Sequence, residues 1–199
     1  MACTNGNNSN AENAEASAVV NQQDNQVNVS DWPETAKKAA NAMMEKYGQP
    51  NEHTVHMLVW LNTGPFDRTI VFKEEVQHDF PMPHKDVLEQ FVNYQVPADK
   101  FDELAMFDGS VMVDRTKGKL SARCDKEGAN ILALNLSDDV ITGKRTVDQA
   151  RQFYGEAMMK MMQGEKVAQI ESLQFDASKA NTGFTDRTTM DMSKVKQMK

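Results

Sequence analysis

The sequence predicts an α+β fold, with antiparallel hairpins packed against about five helices in a single domain. Three observations carry that prediction. Apolar residues recur at helical spacing in several segments closed by glycine. Two segments read as strand, turn, strand, with turn residues at Asn62–Pro65 and at Thr116–Gly118. Strands joined by hairpins pair antiparallel, which leaves the helices to cover one side of the sheet.

Each element has its own justification. Pro33 suits a first helical turn behind Asp31 and Trp32. Ala36, Ala39, Ala40, Met43, Met44 and Tyr47 then follow at helical spacing, and Gly48 closes the helix. Gln49–Pro50–Asn51 is a turn. The next strand is expected from His53 to Leu61. It would set His53, Val55, Met57, Val59 and Leu61 on one face and Thr54, His56, Leu58 and Trp60 on the other. Strand character resumes from Thr69 to Val76. His78–Asp79–Phe80–Pro81–Met82–Pro83–His84 reads as a stiff, extended connector, because each proline fixes its own φ and disfavours helix in the residue before it. Helices are expected from Lys85 to about Tyr94 and from Ala98 to about Phe107, the second ending at Asp108–Gly109.

Ser110–Asp114 and Lys119–Cys124 form the second expected hairpin, with Leu120, Ala122 and Cys124 facing the core together. Ala129, Leu132, Ala133, Leu136 and Val140, widened by Ile131 and Leu134, predict a heavily buried helix that stops at Gly143. Thr146–Val147–Asp148–Gln149 is a capping box. The helix it opens carries Ala150, Tyr154, Ala157, Met158, Met161 and Met162 as a core face. Leu173–Gln174–Phe175 is a short closing strand or an anchor onto the core. The domain is therefore expected over residues 31–175, between a tether over 1–30 and a polar, flexible tail over 176–199.

Charge and composition exclude some classes. A net charge of -7 argues against sequence-independent nucleic-acid binding, which needs clustered Lys and Arg. No apolar run reaches the length of a membrane span, and the chain contains no signal-peptide h-region. The chain is either cytosolic or begins beside a signal-cleavage site. No Gly-x-Ser-x-Gly, Cys-x-x-Cys, His-Glu-x-x-His, zinc-finger or EF-hand pattern occurs. Motifs therefore assign no catalytic residue, metal ligand or cofactor, and a non-catalytic domain is expected.

The four histidines are His53, His56, His78 and His84. In a strand, His53 and His56 point to opposite faces and do not grip one ion. His78–Asp79 and His84–Lys85–Asp86 offer imidazoles beside carboxylates on a rigid connector, a chemistry suited to ligand binding or to proton transfer near neutral pH. His78, Asp79, His84 and Asp86 are therefore candidate binding residues. Arg115, beside Lys117 and Gly118 at a hairpin tip, is a candidate anion contact. An enzyme using the His78–His84 connector is the alternative function, and a cytosolic ligand-binding module a further one. Cys124 is expected to be a buried small hydrophobe.

Cys3 carries the clearest address. It stands in Met1-Ala2-Cys3-Thr4 and heads a stretch of Asn, Gln, Ser, Ala and acids with too little apolar surface to order itself. Such a tether reaches about 25–30 Å. Ala2-Cys3-Thr4 with its polar tether resembles the start of a mature bacterial lipoprotein. That resemblance implies lipid on Cys3, a membrane contact through the anchor, and a place in the cell envelope, at the outer membrane facing the periplasm. Helix, Tyr47-Gly48-Gln49-Pro50, a strand with Trp60, a Gly64 turn and a second strand resemble the small outer-membrane assembly lipoproteins of the SmpA/OmlA type over residues 34–76. That likeness implies a protein partner in the envelope; the chain departs from the pattern after His78.

Overall fold

Local sequence signals account for the helices. The computed structural model describes residues 27–177 and 186–196; Cys3 and the rest of 1–26 lie outside them. Helix α1 (Glu34–Tyr47) buries Ala36, Ala39, Ala40 and Met43, the stripe its spacing predicts. The orphan amides of its first turn are satisfied from afar: Glu75 Oε1 accepts from Thr35 N at 2.9 Å and Ala36 N at 3.4 Å. Val29 is buried beside Trp32 in the same cluster, with Val27 against it, so packing starts inside the segment expected to be tether.

Strands β1 (Glu52–His53), β2 (Met57–Thr63), β3 (Phe66–His78), β4 (His84–Asn93), β5 (Val111–Asp114) and β6 (Lys119–Cys124) form one antiparallel sheet in the order β1-β2-β3-β4-β6-β5. A 3-10 turn (Ala98–Lys100) leads into α2 (Phe101–Phe107). Helices α3 (Glu127–Ile141), α4 (Val147–Met162), α5 (Ala168–Glu171) and α6 (Met192–Lys196) follow the sheet. The fold is α+β, with six α-helices among the described residues. The Thr146–Gln149 capping box is formed in both directions.

Residues opposite one another in an antiparallel register share a face. Trp60 faces Thr69, Val71 faces Leu88, and Leu88 faces Cys124, which traces one inner face across four strands. Helix α1 packs on that face over Leu58, Trp60, Val71 and Leu88. Helices α3 and α4 cover Val92, Leu120 and Ala122. Leu173 and Phe175 anchor against this second cluster without forming a strand. Met158 is buried with it, whereas Met162 is 67% exposed and does not join the core face assigned to it.

Three expectations are corrected. The segment from Lys85 to Tyr94 is strand β4, not helix. It is a central strand, bracketed by β3 and β6, and apolar residues fall on both of its faces, so its sequence fits either period. Pairing with β6, distant in sequence, decides the matter. The expected strand from His53 to Leu61 is two strands. Thr54 Oγ1 accepts from His56 N at 3.1 Å and Met57 N at 3.2 Å, which turns the chain and leaves His53 and His56 exposed. The connector from His78 to His84 is shorter than expected, because those two histidines are themselves paired strand residues.

The β3–β4 pairing contains the feature that builds the site. Val71 pairs with Leu88 and Val76 pairs with Asp86, so β3 advances five residues while β4 advances two. The three extra residues are an odd number. Beyond the irregularity, β3 exchanges its inner and outer faces. His78 therefore turns inward, opposite His84.

Candidate functional site

His84 and Asp86 are two residues apart on β4, so a strand puts both on its inner face. The bulge in β3 adds His78 to that face, and Cys124 ends β6 beside them. The loop over the top is pinned by Phe80, whose ring lies 5.2 Å from that of Tyr154 and 6.2 Å from that of Phe107. Arg151 stacks over the Phe80 ring at 3.9 Å and donates to the Phe107 carbonyl at 2.6 Å. The Phe80–Pro81 peptide is cis.

The two imidazole rings lie 5.1 Å apart. His78 Nδ1, His84 Nε2 and an Asp86 oxygen converge, and a set of ligand atoms from these three residues lies within 4.8 Å of one another. Asp86 has no side-chain exposure, while His78 and His84 are 18% and 13% exposed. Asp86 Oδ2 accepts a short hydrogen bond from the Ser110 hydroxyl and lies 3.5 Å from His78 Nδ1. His84 Nε2 is 3.0 Å from Asp86 Oδ1 and 3.3 Å from Cys124 Sγ.

The far nitrogen of each ring is aimed at an acceptor. His84 Nδ1 lies 2.8 Å from the Met82 carbonyl, which can only accept, so Nδ1 carries a hydrogen. His78 Nε2 faces Asp108 Oδ1 at 3.6 Å. Asp108 is held by the Ser110 amide at 2.8 Å, just past the end of α2. With Nδ1 of His84 protonated, a neutral ring would turn its Nε2 lone pair toward the lone pairs of Asp86 Oδ1. That oxygen is buried, with His84 Nε2 3.0 Å away. A positive charge must sit between them, either a proton or a metal ion.

The electrostatics agree with the proton case. The Asp86 carboxylate first, and then the Cys124 contact, push His84 up to about 11. Burial raises Asp108 above the usual carboxylate range. Burial also raises the Cys124 thiol, against the opposing pull of His84.

The sequence candidates divide. His78, His84 and Asp86 come together. Asp79 is exposed and accepts from Gln77 Nε2 at 2.8 Å, outside the group. Arg115 lies at the far end of the β5–β6 hairpin from Cys124 and pairs with Asp186 at 2.5 Å. Three participants were missed: Asp108, Ser110 and Cys124. They come from the end of α2 and from β5–β6, and no local spacing links them to His78. The one legible signal was His84-x-Asp86 read as a strand rather than as a helix start.

A cavity of about 150 Å³ adjoins the group, lined among others by His84, Cys124, Met82, Met158 and Tyr154. A separate cleft of about 660 Å³ is bordered by Lys46, Tyr47, Glu127 and Phe175, and there Lys46 and Tyr47 both donate to Glu127. No protein-family model, curated protein or solved structure matches the chain.

Proposed function

We propose that the chain is a lipid-anchored envelope protein whose domain binds a metal cation at His78, His84 and Asp86. The observation that carries the binding reading is the convergence of three ligand atoms within 4.8 Å, one of them from a fully buried carboxylate. Metal-bound imidazoles direct their other nitrogen to a carbonyl or a carboxylate, and His84 and His78 do so toward Met82 and Asp108. The absence of a metal motif in the sequence does not weigh against this, because the ligands come from paired strands rather than from one helix or loop.

The size of the cavity favours binding over catalysis. The cavity beside the group, bordered by His84 but not by His78 or Asp86, holds about 150 Å³, whereas sites for small organic molecules start at about 300 Å³. Ser110 Oγ, His78 Nδ1 and Asp108 do form a serine–histidine–carboxylate series, with Ser110 to His78 at 3.4 Å. The Ser110 hydroxyl, however, already donates to Asp86 and is buried. The envelope address rests on Cys3 and its polar tether.

The binding test uses the full chain with Cys3→Ser, loaded with zinc chloride, dialysed, and assayed for metal by mass spectrometry. About one ion per chain is expected, lost in the His78→Ala/His84→Ala double variant. Equal metal in both proteins would refute the site. The anchor test labels bacteria expressing the gene with a clickable palmitate analogue. Label that survives Cys3→Ser would sink the anchor.

A further inference from the structure

We infer that the cleft between α1, the β2–β3 turn and the segment after α5 is a second binding site, for a small organic cation: a protonated amine on an aromatic or aliphatic body. It lies at the opposite end of β3 and β4 from the histidines, since Phe66 and Asp67 open β3 and Asn93 closes β4. It shares no residue with the group at His78, His84 and Asp86.

Size selects a small organic molecule. The cleft holds about 660 Å³, within the range of roughly 300–1,000 Å³ typical of small-molecule sites. It opens where the two hydrophobic clusters meet. Tyr47 packs on the α1 cluster, while Phe66, Ile131, Leu173 and Phe175 belong to the cluster of α3 and α4. These side chains give the body of a ligand apolar surface to bury against. A bare metal ion gains nothing from them.

The walls are built in advance. Leu173 and Phe175 stand on a segment with no helix or strand of its own, and the buried side chain of Asn135 holds that segment in place. Asn135 Nδ2 donates to the Gln169 and Ser172 carbonyls, both at 2.9 Å, and Asn135 Oδ1 accepts from Gln174 N at 2.7 Å. Phe175 sits edge-on to Tyr94 at 5.3 Å, and Tyr94 in turn donates to Asp138 at 2.7 Å. On the other side, a Cβ at Gly64 would come 3.4 Å from Tyr47 Oη, so the hairpin turn closes against α1. Lys46 and Tyr47 are held there by Glu127. Walls fixed before binding reduce the ordering cost of binding.

Charge selects a cation. Asp67, Glu127 and Glu171 border the cleft with a single lysine, Lys46. Lys46 pairs with Glu127, and Lys119 reaches Asp67 at 2.9 Å. Glu171 is exposed and makes no ion pair with a described residue. An anion would meet these carboxylates, whereas an ammonium group can answer Glu171 while its body rests on the apolar wall. The aromatic side chains of Tyr47, Phe66 and Phe175 also suit a cation with an apolar body.

Three probes with one indole ring separate charge from shape: tryptamine, neutral tryptophol and anionic indole-3-acetate. Each is titrated into the isotope-labelled full chain carrying Cys3→Ser, in chelator, and followed by amide NMR. Tryptamine should shift the Gly64 and Ser172 amides with a Kd of about 1 mM or tighter, as expected for a ligand of this size. Tryptophol should bind about 5-fold more weakly, the scale of one partly exposed ion pair, and indole-3-acetate more weakly still. Glu171→Lys should weaken tryptamine by about 5-fold or more and leave tryptophol unchanged. Equal affinity for tryptamine and tryptophol in the Cys3→Ser protein would overturn the cationic class. No shift at Gly64 or Ser172 with any probe would overturn the site. The three-probe comparison decides the matter alone if the Glu171→Lys protein does not fold.

Discussion

His84 Nε2 lies 3.0 Å from Asp86 Oδ1, while Nδ1 of the same ring is held 2.8 Å from the Met82 carbonyl. One nitrogen is fixed as a donor, so the other must meet the carboxylate through a proton or a metal. The pair therefore links protonation, metal binding and stability at a single buried position.

The metal-free protein should lose stability as the pH rises. The folded value of His84, about 11, stands above its ordinary 6.5. A group raised on folding stabilises fully below its unfolded value, and that contribution declines upward and is lost as pH passes the folded value. Urea unfolding in chelator should show the excess of wild type over His84→Gln shrinking from pH 6.5 toward 11. A constant difference would contradict the pairing. In Asp86→Asn, which removes the largest cause of the shift, the His84 ring signals should titrate at lower pH by NMR.

Zinc should raise the thermal midpoint. Saturation at 100 times Kd contributes about 2.7 kcal/mol, or roughly 5–10 °C for a domain of this size. Differential scanning fluorimetry should record that rise in wild type and none in the His78→Ala/His84→Ala variant. The effect should fade at acidic pH, where protons compete for the same nitrogens.

Glu127 should prove a structural linchpin away from the metal group. It is buried, and accepts from Lys46, from Tyr47 at 2.8 Å and from Gln90 at 2.7 Å. Glu127→Ala leaves these donors without their shared acceptor and should cost about 3 kcal/mol in chemical denaturation. Zinc binding should survive in the folded fraction.

Two helical glycines should respond differently to alanine. A Cβ at Gly155 in α4 meets nothing within 4 Å, so Gly155→Ala should stabilise by about 0.5–1 kcal/mol through helix propensity. A Cβ at Gly128 in α3 would come 2.9 Å from Ile170 Cγ2. Gly128→Ala should therefore gain less or turn destabilising, because Ile170 and α5 must shift. Parallel urea titrations separate the two.

Helices, caps and hairpin turns were legible in the sequence because their causes are local. The stripe of α3 and the Thr146–Gln149 box depend on residues within one or two turns of each other. The hairpin turns at Gly64 and Gly118 carry positive φ, as their glycines suggest. Sequence alone also singled out His78, His84 and Asp86, through the density of imidazoles and carboxylates around two prolines. It misassigned β4 because a central strand with apolar residues on both faces has no period of its own.

Whether those three residues meet was decided only by tertiary structure. The three extra residues in β3 set which face His78 takes, and nothing local to His78 encodes that parity. Cys124 arrives through the β4–β6 pairing, Ser110 and Asp108 through the connection from α2 to β5, and Phe80 closes the loop by docking on Phe107 and Tyr154. Sequence by itself determined which groups were available and which local elements carry them. Long-range pairing determined their convergence, because the register between strands is set by burial across the whole sheet.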